Sequence, residues 1–132
     1  MQEYSGHYWV LNLPDQWNGH RGSESDSIFY QDGVGVVDIT SIMNDVVAQD
    51  KDLRFYASEY LDKAAETTPI QLGDFSGFCL EYDEDGDFWW RAFVKSGHVL
   101  VFISYNCKNN EKRLELEAVQ EILQSLSVKW DI

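Results

Sequence analysis

Residues Phe75 to Asn106, FSGFCLEYDEDGDFWWRAFVKSGHVLVFISYN, decide the fold of this 132-residue chain. They read as three consecutive antiparallel strands: Phe75 to Tyr82, Phe88 to Lys95 and His98 to Asn106. An acidic loop, Asp83-Glu84-Asp85-Gly86-Asp87, joins the first two, and a tight turn at Ser96-Gly97 joins the last two. Side chains alternate across a strand, so one pairing assigns every residue to a face. With Lys95 opposite His98, Val94 meets Val99, Ala92 meets Val101, Trp90 meets Ile103 and Phe88 meets Tyr105, an apolar face. Pairing Tyr82 with Phe88 adds Phe78, Leu80 and Tyr82 to that face. The other face then holds Phe75, Gly77, Cys79 and Glu81, then Trp89, Arg91, Phe93 and Lys95, then His98, Leu100, Phe102 and Ser104. It is too aromatic to be bare.

Around this meander the periods change. Tyr8 to Leu13 reads as a first strand stopped by Pro14, and Asp15 to Asp26 as a polar loop carrying His20-Arg21. Ser27 to Tyr30 and Gly35 to Ile42 flank Gln31-Asp32-Gly33-Val34, a hairpin signal. From Asp52, residues Leu53, Tyr56, Ala57, Tyr60, Leu61 and Ala64 recur at three and four positions. This predicts an amphipathic helix over 52 to 66, capped by Asp52 and stopped at Thr67-Thr68-Pro69. A second helix over 111 to 126 carries Leu116, Val119, Ile122, Leu123 and Leu126 on one stripe, with Glu111, Glu115 and Glu121 outside and Asn110 as its cap. Val128 to Ile132 is a candidate edge strand.

Composition bounds the function. Nineteen aromatics and 44% apolar residues suit one folded domain spanning 1-132. Ten Lys and Arg against 23 Asp and Glu give a net charge of −13, spread along the chain. Such a field repels phosphate backbones and attracts basic partners. No stretch approaches the roughly 18 apolar residues of a membrane span, and the start lacks a signal pattern, so a cytoplasmic location is expected. The predicted registry sets Cys79 beside Arg91 and Cys107 beyond the end of the third strand, which implies two reduced thiols.

The chemical constellations are weak. Glu81-Tyr82-Asp83-Glu84-Asp85-Gly86 matches the start of a calcium loop, but position twelve falls on Ala92, where a bidentate Glu is required. Gly33-Val34-Gly35 lacks the third glycine of a dinucleotide fingerprint and leads into a strand. Gly73-Asp74-Phe75-Ser76-Gly77 has the wrong spacing for a nucleophile elbow. His7, His20 and His98 lie in separate segments, none with metal-ligand spacing. Glu81 and Arg91 are expected on one sheet face with Trp89 beside them, either as an ion pair under a helix or as a recognition site with an aromatic wall. Asp83, Glu84, Asp85 and Asp87 form an acidic patch suited to a basic surface.

Trp17, Phe29-Tyr30 with Asp32-Gly33-Val34-Gly35, Leu72 to Phe78, Trp89-Trp90-Arg91, Phe102 to Cys107 and the closing helix at Glu117 to Leu126 carry a family pattern. In order and spacing it resembles small bacterial domains of the Mog1/PsbP-like fold, over nearly the whole chain. The resemblance implies an α+β sandwich, an antiparallel sheet of about six strands flanked by helices on both faces. Members of the fold at large are adaptors and binding modules, such as the Ran-binding Mog1 and the photosystem-associated PsbP.

The expected function is a non-catalytic acidic interaction module, an immunity or antitoxin-type protein or an adaptor. It would act as a monomer or weak dimer, with no cofactor, nucleic acid or membrane, on a protein partner with a basic surface. Candidate partner-binding residues are Glu81, Asp83, Glu84, Asp85, Asp87, Trp89 and Arg91. The alternative is a small hydrolase or transferase with a pocket at the sheet end, which a deep cleft lined by His20, Arg91 and Glu81 would favour.

Overall fold

A computed structural model describes residues 1 to 129. Its frame is a seven-stranded antiparallel sheet in the order β3-β4-β5-β9-β8-β7-β6. The strands are β3 (Trp17–Arg21), β4 (Asp26–Tyr30), β5 (Gly35–Met43), β6 (Thr68–Leu72), β7 (Phe75–Glu84), β8 (Asp87–Ser96) and β9 (Val99–Lys108). A smaller sheet joins β1 (Gln2–Ser5), β2 (Trp9–Leu13) and β10 (Ser127–Val128). Two helices complete the fold, α1 (Asp50–Leu61) and α2 (Lys112–Leu123), the second entered through a 3-10 turn at Asn109–Glu111. Of the segment expected as a closing strand, Val128 lies in β10, and residues 130 to 132 fall outside the described residues.

The layers differ from the expected sandwich of a six-stranded sheet between helices. On one side α1 is the covering helix among the described residues, burying Leu53 and Ala57 against Phe78, Leu80, Phe93 and Leu100. The other side is a mixed layer in which α2 contributes Val119, Ile122 and Leu123, and the small sheet contributes Trp9, Leu11 and Leu13. Trp90, Ala92, Val94, Val101, Ile103 and Tyr105 form the sheet surface beneath them. The small sheet was hidden because β1 and β10 are too short and too polar to show an alternating pattern. Leu11 and Trp9 carry its burial.

Register separates what patterning predicts from what turns decide. In β8–β9, Trp90 pairs with Tyr105, Ala92 with Ile103 and Ser96 with Val99. The two-residue turn is therefore Gly97-His98, with φ of +59° at Gly97. That is a shift of two from the expected pairing, and an even shift leaves every side chain on its face. In β7–β8 the shift is one. Glu84 pairs with Asp87 and Tyr82 with Trp89, because the turn is only Asp85-Gly86, with φ of +54° and +87°. Positive φ at both central residues is the primed hairpin geometry that suits the strand twist, and Asp-Gly is well suited to it. A one-residue slip exchanges the faces. Phe78, Leu80 and Tyr82 lie with Trp89, Arg91 and Phe93 under α1, and Cys79 and Glu81 lie on the Trp90 side. Glu81 and Arg91 are therefore on opposite faces.

Other boundaries follow local chemistry. α1 starts two residues earlier than expected, with a capping box in which Gln49 is the cap, and the Gln49 N–H donates to Asp52 at 2.8 Å. It ends at Leu61 rather than 66, and Thr68 and Pro69, expected only as a stop, open edge strand β6. Pro69 suits an edge, where no ladder partner is needed from its nitrogen. Asp15 to Asp26 contains β3 rather than loop alone. Four of the five residues of β3 are exposed, so no apolar alternation marks it. Cys79 faces Ala92, and Cys107 lies inside β9 opposite Phe88; both thiols are free.

Candidate functional site

Cross-strand pairing lines up one polar row on the α1 side. His20 pairs with Ser27, Ser27 with Asp38, Asp38 with Ser104, and Ser104 with Arg91. Directly opposed residues share a face, so these five side chains cross five strands in sequence. The Ser27 hydroxyl donates to Asp38 Oδ1 at 2.8 Å, which ties two members together. α1 packs over β7 and β8, and the β5–β9 part of this face forms a groove of about 300 Å³ beside it. Asp38, Thr40, Phe102 and Ser104 line the sheet side of the groove, and Tyr56, Glu59 and Tyr60 the helix side.

Arg91 closes the groove at β8. Its guanidinium lies 3.9 Å from the Tyr60 ring centroid and 4.7 Å from that of Trp89, and its Nε donates to the Tyr82 hydroxyl at 2.9 Å. Such stacking holds an arginine in place without neutralising it. No carboxylate among the described residues forms an ion pair with it. Burial pushes the Tyr60 hydroxyl above its ordinary range, against the opposing pull of Arg91, so the ring stays neutral beside the cation.

On the rim, Phe55 is 72% exposed and Tyr56 41% exposed. Phe55 stands edge-on to Tyr56, which in turn packs 4.9 Å from Phe102 on the groove floor. Val46 and Val47, in the loop before α1, are 66% and 58% exposed. In sequence these residues are interspersed with Asp45, Asp50, Asp52 and Glu59, of which Asp50 pairs with Arg54 at 2.9 Å.

The predicted site residues divide. Trp89 and Arg91 belong to the groove cluster. Asp83, Glu84, Asp85 and Asp87 form the adjoining hairpin tip, where Lys63 pairs with Glu84 at 2.8 Å and the Asn109 amide donates to Asp83. The hydrogen bond that Lys63 donates to Glu84 raises the lysine's pKa. Glu81 is separated from the groove cluster by the sheet and shares the Trp90 and Phe88 face with Asp83 of the tip. The cleft of His20, Arg91 and Glu81 does not exist: His20 shares the Arg91 face but stands four strands away, about 19 Å at the usual spacing, and Glu81 is behind the sheet. Sequence reading missed Asp38, Tyr60 and Ser104. The signal for Asp38 and Ser104 was the parity of β5 and β9, readable once Gly35 is set opposite Cys107, whereas Tyr60 enters from α1.

Glu115, expected on the solvent side of α2, is 7% exposed. It accepts from the Tyr105 hydroxyl at 3.0 Å and from the backbone N–H groups of Gly35 and Val34 at 3.2 and 3.3 Å. The Gly33-Val34-Gly35 loop does cradle an anion, and that anion is the protein's own carboxylate. Burial, reinforced by Cys107 and Glu115, pushes the Tyr105 hydroxyl far up. Among the described residues, no three His, Cys, Asp or Glu side chains are grouped as metal ligands, and no helix is long and apolar enough to cross a membrane.

No family model matches this sequence, and no match is found among curated proteins. Solved structures do match. One from Bacteroides thetaiotaomicron VPI-5482 superposes with a TM-score of 0.69 at 15% identity over 94% of this chain, which spans 46% of that protein. LpqN of Mycobacterium tuberculosis, described as involved in cell envelope biogenesis, gives 0.65 at 14% identity, covering 91% of this chain and 82% of LpqN. The cyanobacterial PsbP of Synechocystis sp. PCC 6803 gives 0.63 at 10% identity, covering 96% and 91%. The fold is therefore PsbP/Mog1-like, and at these identities the likeness carries the fold alone.

Proposed function

We propose that this chain is a non-catalytic, cytoplasmic protein-interaction module, of adaptor or immunity type, whose acidic α1 side engages a partner that carries a basic surface. The observation that carries the reading is the exposure of Phe55 and Tyr56 on the rim of a half-covered sheet face. Burying such aromatic anchors contributes most of the energy in many interfaces. The surrounding acids, within a net charge of −13, supply complementarity to a basic partner and accelerate encounter. Asp83, Glu84, Asp85 and Asp87 extend the acidic field from the hairpin tip, and Trp89 and Arg91 connect that tip to the groove.

The test is affinity capture from native lysate by wild type and by a Phe55→Ser/Tyr56→Ser variant. The expected outcome is a basic partner that is held at low salt, released near 0.5 M, where the Debye length is roughly 4 Å, and not held by the variant. A partner held equally by both proteins would place the interface elsewhere. Reversing the charges of Asp83, Glu84, Asp85 and Asp87 should slow association with that partner. An unchanged rate would reduce the tip to a solvated turn.

A further inference from the structure

The groove holds charges of both signs that do not neutralise one another. Arg91 stands at one end. Nε makes its one hydrogen bond to the protein, so four of the five guanidinium donors have no acceptor among the described residues. Tyr60 and Trp89 occupy its neighbourhood as rings, which restricts the guanidinium and leaves its in-plane edge for a ligand. Asp38 and Glu59 line the same groove, and neither forms an ion pair among the described residues. Asp38 is two strands from Arg91, about 10 Å at the usual spacing.

This arrangement selects a ligand. A planar, stacked arginine with a free fork suits a carboxylate. A free anion, however, must approach a protein of net charge −13. A carboxylate is drawn in only when it is attached to a body of net positive charge. Its cationic group must then reach Asp38 or Glu59. A C-terminal carboxylate and the side chain of a Lys or Arg one or two residues upstream span that separation in an extended chain. The Tyr56 and Phe102 rings, in contact with each other and lining the same groove, provide an apolar surface for the connecting backbone and side-chain stem.

We infer that the groove beside α1 is a docking site for the C-terminal end of a basic polypeptide, with the terminal carboxylate on Arg91 and an upstream basic side chain on Asp38 and Glu59. This deepens the proposed function and rests on it. The occupant is a partner's basic tail.

The experiment titrates the whole protein with acetyl-Ala-Lys-Ala-Lys-Ala, once with a free C-terminus and once amidated, at low salt, read by calorimetry and by the fluorescence of Trp89 beside Arg91. The two probes separate the mechanisms by sign. An acidic surface without a carboxylate site prefers the amide, which carries one more net positive charge. The Arg91 site prefers the free acid, by roughly tenfold for a charge-assisted hydrogen-bonded pair. Arg91→Gln should abolish this preference, and Asp38→Asn should weaken both peptides while keeping it. Since the comparison of probes is made on the wild type, it does not depend on the variants folding. Equal binding of acid and amide, or preference for the amide, overturns the inference and leaves the acidic module standing. Binding of neither peptide overturns both.

Discussion

Replacing Glu115 with alanine should unfold the protein at markedly lower temperature, although no catalytic or ligand role is assigned to it. The carboxylate accepts three hydrogen bonds, from Tyr105, Gly35 and Val34, and so joins α2 to the start of β5 and the middle of β9. Alanine leaves the Tyr105 hydroxyl, on a fully buried ring, without this acceptor, at a cost of roughly 1–3 kcal/mol. The two backbone N–H groups sit at a half-buried loop and can recover part of their hydration, so each adds the lower end of that range. The expected total is about 3–5 kcal/mol. At about 2 cal/mol/K per residue, the unfolding entropy of a chain this size converts that loss to roughly 10–20 °C in Tm. Calorimetry or urea titration would read it against Glu117→Ala, an exposed position on the same helix, expected within about 0.5 kcal/mol of wild type. A double-mutant cycle with Tyr105→Phe isolates the 3.0 Å bond and should show coupling of at least about 0.5 kcal/mol. If Glu115→Ala and Glu117→Ala melt together, or the cycle is additive, the buried carboxylate does not hold α2 to the sheet.

Trp90 is 1% exposed in the larger core and Trp89 only half-buried beside Arg91, so Trp90→Ala should cost about 3–5 kcal/mol and Trp89→Ala clearly less; the reverse order in thermal melts would mean the faces of β8 are exchanged. Burial raises Tyr105 above its ordinary pKa of 10.0, so the unfolded chain ionises there before the folded one. The resulting stability is fully present below pH 10 and is lost as pH rises beyond it, and Tyr105→Phe should flatten that alkaline loss in urea midpoints measured between pH 8 and 11. Tyr4 and Tyr60 are raised by burial in the same direction and leave a residual slope.

The meander and both helices were legible because burial writes a period into them: Leu53 and Ala57 in α1, Val119, Ile122 and Leu123 in α2, and the alternation from Phe88 to Val94 in β8. The turns were harder. Reading Asp83 to Asp87 as a five-residue loop, instead of a two-residue Asp85-Gly86 turn, changed the parity of β7 and put Glu81 on the Arg91 face. The error at Gly97 was even and harmless. Strand β3 is held by its backbone pairing with β4, and its Trp17 carbonyl accepts from the Gln2 side-chain amide at 2.9 Å; neither interaction writes an apolar period into the sequence. Half of the candidate site was visible for the same reason. Trp89, Arg91 and the face of Ser104 follow from parity within the meander, whereas Asp38 joins them through the β5–β9 pairing and Tyr60 through the packing of α1.

The central claim is that the α1 side of the sheet is the binding face, and amide chemical-shift mapping tests it most directly. Isotope-labelled protein is titrated with the free-acid Lys-containing pentapeptide at low salt and again near 0.5 M. The account predicts salt-sensitive shifts concentrated at Asp38, Tyr56, Tyr60, Arg91, Phe102 and Ser104, with smaller changes at the Asp83–Asp87 tip. Shifts centred on the α2 side, or scattered evenly over the acidic surface with no focus at the groove, would contradict it.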